Sequence, residues 1–223
     1  MTIFWIKIIA CITMILDHIK YAIPETSNFF TEYFGRISFP LYAFLLTEGY
    51  VHTSDLKKYY IRLTKFAVIS QIPFVLFRTL VGEWKMLNIV FTLLLGLISI
   101  TVFDKEKRKY ISIPIVILII LFGKILRVDY GWYGVLTIFM FYLLKKHKAF
   151  IPLAYLTILI LYYYIRLNTL QFSIHVTFSI LFTWMSVFII LAYNGKEGKK
   201  IKYFYYIFYP VHMLIIYLIS FIF

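Results

Sequence analysis

Lys7, Asp17 and His18 stand inside one apolar stretch, KIIACITMILDHI over residues 7–19. A charge near the centre of a lipid bilayer costs several kcal/mol, so an ionisable group there is as a rule functional or paired inside a helix bundle. Lys7 and His18 are eleven residues apart, three helical turns plus roughly 20°, which puts them on one face about 16 Å apart along the axis. Asp17 points about 100° away, over Lys20 and Tyr21. One helix would then carry a cation near one surface and a titratable imidazole deep inside. A neutral imidazole near physiological pH can take a proton from an acceptor or hold an acyl group.

A second group lies in GRISFPLYAFLLTEGYVHT, residues 35–53. Arg36 is near one end of this segment, and Glu48 and His52 share a face near the other. Two polar tiers follow: Asp17, His18 and Arg36 at the outer level, and Lys7, Glu48 and His52 at the inner level. A Lys7–Glu48 ion pair would be the structural alternative for the inner tier. An arginine that snorkels to the interface would be the alternative for Arg36. Asn88 and Thr92, one turn apart in LNIVFT, would line a polar cavity or bond between helices. Ser70 and Gln71 suit bonds across helices. Pro210 predicts a kink that frees a backbone carbonyl, and His212 follows it deep in an apolar run, where packing and a site are equally open readings.

Other polar residues read more plainly. Asp129, in VDYGWYG, is expected to be a solvated loop carboxylate, with the two glycines marking a close backbone approach or a turn. His147 in KKHK reads as a solvated loop residue, His175 as a polar helix contact and Cys11 as a small buried apolar residue. The five histidines have no metal-ligand spacing, so no metal is expected.

The elements that must position these residues are long apolar runs. The chain is 62% hydrophobic with a mean hydropathy of +0.86, far outside the soluble range. The reading is an all-α, polytopic transmembrane helical bundle, one domain over residues 1–223. The runs are continuous and do not alternate, which argues against a β-barrel. The first run lacks a small-residue cleavage site and reads as a span, not a signal peptide. Nine spans are expected, at about 3–23, 34–53, 59–77, 87–103, 111–125, 131–144, 149–165, 170–193 and 203–223. The loop at 24–33 holds Glu25 and Glu32 and no Lys or Arg, whereas alternate loops read DKEKRKY, KKHK and NGKEGKKIK. This bias predicts a cytoplasmic N-terminus and an outward C-terminus. Topology therefore accounts for the net charge of +13 better than nucleic acid does.

Taken in order, KIIACITMILDHI, GRISFPLYAFLLTEGYVHT, RLTKFAVISQIPF, LNIVFTLLLGL, DYGWYGV, YNGKEG and IFYPVHML resemble the TraX family over almost the whole chain. The DH pair, GRISFP with EG, and YNG-x-x-G followed by FYPxH are the most specific blocks. Lys7 and His18 also fit the Arg/Lys–ten residues–His pattern of a wider superfamily of membrane acyltransferases. TraX-like proteins are known as acetylases of the N-terminus of conjugative pilin, so the resemblance implies a multi-pass enzyme of the inner (cytoplasmic) membrane. It would move acetyl from cytosolic acetyl-CoA to an extracytoplasmic acceptor: a peptide N-terminus, a glycan, or another amine or hydroxyl. On that footing His18 is the catalytic base or acetyl carrier, Arg36 orients the thioester or its oxyanion, and Asp17 balances local charge. Acetyl-CoA would meet Lys7, Glu48, Arg62, Lys65, Asn88, Asn194, His212 and the Lys196–Lys202 group. The alternatives are a small-molecule transporter or exporter, against which the lack of an internal repeat argues, and an assembly factor of a conjugation or secretion machine.

Overall fold

A computed structural model describes residues 1–201 and 204–222, with the backbone alone for Tyr205. Among these residues the chain forms ten α-helices and no β-strand. They are α1 (Ile3–Ile19), α2 (Phe29–Tyr33), α3 (Ser38–His52), α4 (Leu56–Thr79), α5 (Ile89–Lys105), α6 (Lys109–Ile125), α7 (Gly131–Leu143), α8 (Ile151–Leu167), α9 (Ile174–Leu191) and α10 (Phe204–Ile219). Three are long and apolar enough to cross a membrane: α4, α8 with the turn before it (Lys148–Leu167), and α9. Helices α7 and α10 are apolar but shorter. Outward faces carry large apolar side chains, among them Ile69, Ile72, Leu118, Ile125 and Leu153, as a lipid-facing surface would.

The sequence expectation of a continuous span over 34–53 is modified at its start. Phe34–Ile37 is a 3-10 turn, and the α-helix begins at Ser38. The loop before it folds into the short α2, whose start is closed by a reciprocal capping box: Asn28 accepts from the Thr31 backbone, and Thr31 Oγ1 accepts from Asn28 N–H. This adds a helix absent from the expected set.

Small residues decide where helices meet. Ala10, Ala43 and Ala67 are fully buried in the core with Ile6, Leu41, Leu97 and Ile138. A Cβ at Gly96 would lie 2.6 Å from Ile138, and one at Gly134 would lie 2.5 Å from Thr92. Helices α5 and α7 therefore approach at glycine contacts, the mode available where no water drives helices together. Around this centre α1 packs on α3 and α10, α4 on α5 and α10, and α9 on α3 and α8.

Candidate functional site

Helices α1, α3, α4, α5 and α10 enclose a cavity of about 1090 Å³. Lys7, His52, Asp55, Lys58 and Arg62 line one end of it, and Arg78, Glu83, Asp129, Tyr162 and Arg166 the other. Asp17, His18 and Arg36 stand on its wall toward the second end. Antiparallel order explains the segregation. The start of α1 lies with the end of α3 and the start of α4, while the end of α1 lies with the start of α3 and the end of α4.

Arg36 reaches the wall because of the residue before it. Gly35 presses on α1 so closely that a Cβ there would lie 2.6 Å from the Cα and Cβ of Asp17. The turn bearing Arg36 is thus held against the Asp17–His18 corner. Ser38 Oγ donates to the Ala10 carbonyl at 3.1 Å and adds a second tie between the same elements. Asp17 faces Lys20, with Oδ1 3.7 Å from Nζ, the direction its helical offset predicts.

The His18 ring contacts two others. It lies 4.9 Å from Phe77 and 5.2 Å from His212, whose plane is within 17° of its own, so the two imidazoles meet edge to edge. His18 Nδ1 is 3.0 Å from His212 Nε2, and His212 Nδ1 is 3.0 Å from the Phe208 carbonyl. The cations whose field reaches His18 are Arg78, Lys20 and Arg36. Three residues on the cavity wall keep a buried polar atom without a hydrogen-bond partner: Asp17 Oδ1, Arg36 Nε and Arg78 Nε. Buried polar groups are nearly always paired. Asp17 is ion-paired with Lys20 and Arg78 with Glu83, yet these atoms stay open to a hydrogen bond, and a cavity walled by them beside an imidazole is suited to a polar ligand.

The TraX protein family matches residues 4–220. The chain belongs to the TraX family. Among curated proteins it is also similar to "Probable fimbrial assembly protein FimC, serogroup H1" of Dichelobacter nodosus. The two are 29% identical over 238 residues, covering 96% of this chain and 93% of that protein. No solved structure matches.

This TraX-family chain gathers some of the expected residues and separates others. Lys7, Asp17, His18, Arg36, Arg62 and His52 all line the cavity. His212, expected among the ligand-binding residues, is buried behind His18 and touches it directly. Glu48 lies off the cavity wall, 3.8 Å from His52 Nδ1. Asn88 is committed to structure. Its amide donates to the Ala67 carbonyl at 2.8 Å and to Gln71 Oε1 at 2.9 Å, and its Oδ1 accepts from Val90 N–H at 2.9 Å, capping α5. Asn194 makes a turn, its Oδ1 accepting from Lys196 N–H at 3.1 Å. The loop beyond is sewn to the start of α1, where Ile3 and Phe4 N–H donate to the Lys196 and Glu197 carbonyls. Lys65, Lys196, Lys199 and Lys200 are exposed, with Lys200 3.0 Å from Glu197. Lys202 lies outside the described residues.

Asp129 corrects the expectation of a solvated loop carboxylate. Leu87 N–H donates to the Arg127 carbonyl at 3.1 Å and Asp129 N–H to the Leu87 carbonyl at 2.8 Å. These bonds fold the turn before α7 inward, and Thr92 Oγ1 donates to the Asp129 carbonyl. Arg127 and Tyr130 take left-handed backbone angles, φ 53° and 63°, a strain that persists only where the surroundings impose it. Tyr130 then stacks on Phe39 at 4.1 Å. Burial pushes the Asp129 carboxyl up to about 6, against the opposing pull of Arg78 and with a further push from Asp17. His175, by contrast, makes the expected polar contact, 2.7 Å from Tyr33 Oη. Arg78, Asp129, Tyr130 and Tyr209 complete the site. Of these four the sequence singled out Asp129 alone, as a solvated loop carboxylate.

Proposed function

We propose that this protein is a membrane-embedded acetyltransferase. It takes acetyl from cytosolic acetyl-CoA and delivers it to an extracytoplasmic amine or hydroxyl. The observation that carries the reading is the cavity itself, with His18 and Arg36 on one wall and a mouth where Lys7, Lys58 and Arg62 outnumber Asp55, the partner of Lys58. Phosphate groups favour such a mouth. The wider orientation is part of the proposal: a multi-pass bundle of about nine spans in the inner membrane, N-terminus cytoplasmic, with the Lys7 end of the cavity inside and the Arg78 end outside.

The chemistry follows from the groups present. The acceptor enters from the Arg78 end. The His18 imidazole takes the acceptor proton as the acceptor's nitrogen or oxygen bonds to the thioester carbonyl carbon. Negative charge then develops on the carbonyl oxygen, where the Arg36 guanidinium can stabilise it. Collapse breaks the carbon–sulfur bond, and the imidazolium returns its proton to the CoA thiolate. Asp17 offsets the cations around His18. A peptide N-terminus is the favoured acceptor, since the relative bears the name of a fimbrial assembly protein and the TraX family resemblance points to pilin. Membranes carrying wild type or His18→Ala at matched abundance, incubated with acetyl-labelled acetyl-CoA, test this. Label on protein or glycan should require His18, and equal labelling by the variant would refute the reading.

The same relative's name favours one rival, an assembly factor without chemistry. That protein would support appendage assembly after loss of both His18 and Arg36.

A further inference from the structure

The hydrogen-bonded pair of His18 and His212 has a direction. The Phe208 carbonyl can only accept a hydrogen bond, and it lies 3.0 Å from His212 Nδ1. His212 Nδ1 therefore carries the hydrogen, and in the neutral ring Nε2 is left as an acceptor. That Nε2 lies 3.0 Å from His18 Nδ1, so the hydrogen between the rings sits on His18 Nδ1. His18 Nε2 is then the nitrogen with the free lone pair. We infer that His212 is a positioning residue, which fixes His18 in the Nδ1–H tautomer and so presents a bare Nε2 for proton transfer.

The surroundings hold this arrangement. The Phe208 ring stacks on His212 at 4.9 Å and 8° between planes, and Tyr209 lies 5.7 Å away on the same helix. His212 is 6% exposed, so no bulk water competes for its Nε2. Phe77 packs on the His18 ring at 4.9 Å. Which nitrogen of a histidine is protonated is set by the bond that the other makes, and free imidazole side chains in water favour Nε2–H. Without His212, His18 would drift toward the tautomer that blocks its own lone pair. Loss of such an outer partner costs roughly 10–100-fold at metal-bound histidines, and the wrong tautomer costs up to about 10⁴ in kcat in a serine-protease triad.

The tautomer claim stands on geometry. Only its kinetic consequence rests on the acetyltransferase reading. The test is nitrogen-15 NMR of the full-length protein in bilayers with labelled histidine, the His18 signals assigned by their loss in His18→Gln. Wild type should show His18 protonated at Nδ1. His212→Phe, similar in shape and without an acceptor, should move His18 toward Nε2–H. His212→Gln, whose Oε1 can take the place of the lost Nε2, should restore Nδ1–H. An Nε2–H His18 in wild type would overturn the inference, even if neither variant folds, and so would a tautomer that ignores His212→Phe. In acetyl-CoA turnover, His212→Phe should lower kcat roughly 10–100-fold with KM for acetyl-CoA unchanged, and His212→Gln should recover most of it. The tautomer pattern with no turnover in wild type would keep the pairing and sink the acetyltransferase reading. Turnover that needs His18 and ignores His212→Phe would sink the positioning role alone.

Discussion

Gly35→Ala separates close packing from chemistry. The added Cβ would lie 2.6 Å from Asp17 Cα and Cβ and 2.7 Å from its backbone nitrogen. Carbon atoms rest at about 3.5–4.0 Å, so the turn and α1 must part by about 1 Å. Helix backbone cannot swing aside as a side-chain tip can, even in the last turn of α1, and overpacking of this kind costs about 1–3 kcal/mol. Arg36 is the next residue and moves with the turn. A misplacement of about 1 Å in a catalytic arrangement can cost roughly 100-fold in rate. The variant should therefore lose modest stability and a much larger share of acetyl-CoA turnover per folded molecule. Gly49→Ala is the control. Its Cβ meets the Tyr59 hydroxyl at 2.8 Å, the tip of a side chain at the cavity wall that can turn away. Thermal unfolding in detergent and turnover normalised to folded protein read both variants. A Gly35→Ala protein with wild-type stability and turnover would refute the claim that this contact sets Arg36.

Asn88→Ala should cost about 2–4 kcal/mol, from a lost cap and the unpaired groups it leaves, while acetyl-CoA affinity per folded molecule stays unchanged; a selective loss of affinity would return Asn88 to the binding site. Arg62→Ala should raise KM for acetyl-CoA about tenfold, one charged contact's worth, and the gap should narrow at high salt; equal KM values at low salt would exclude Arg62 from the phosphate path. Asp129→Asn probes the half-buried acid, whose carboxyl is pushed up to about 6 from an ordinary 3.8. A raised value means that the stability provided by the protonated form is complete below the ordinary value and is lost as pH rises through about 6. Wild type should thus gain melting temperature relative to Asp129→Asn between about pH 7 and pH 4, and a flat difference would contradict the burial argument.

Helical periodicity made much of this legible. Eleven-residue spacing put Lys7 and His18 on one face, and both line the same cavity. The offset of Asp17 predicted its approach to Lys20, found at 3.7 Å. The expected span over 34–53 contains α3, and its 3-10 start at Phe34–Ile37 escaped the pattern. What stayed hidden depends on tertiary contact. His212 lies 194 residues from His18, and no local pattern reports which deep histidine meets which. Asp129 sits in a polar, glycine-containing turn that reads as a surface loop. Its inward position comes from two backbone bonds to Leu87, and backbone bonds leave little trace in side-chain type. Asn88 and Thr92 do share a face, and periodicity alone cannot separate a cavity lining from a helix cap.

The most direct measurement is release of free CoA from acetyl-CoA by the purified protein, wild type against His18→Ala, with a peptide bearing a free N-terminus as acceptor. Release by wild type, with acetyl recovered on the peptide and both lost in a folded His18→Ala protein, is the result predicted. Equal release by the two proteins, or binding of acetyl-CoA by wild type with neither release nor transfer, would contradict an acetyltransferase built on His18.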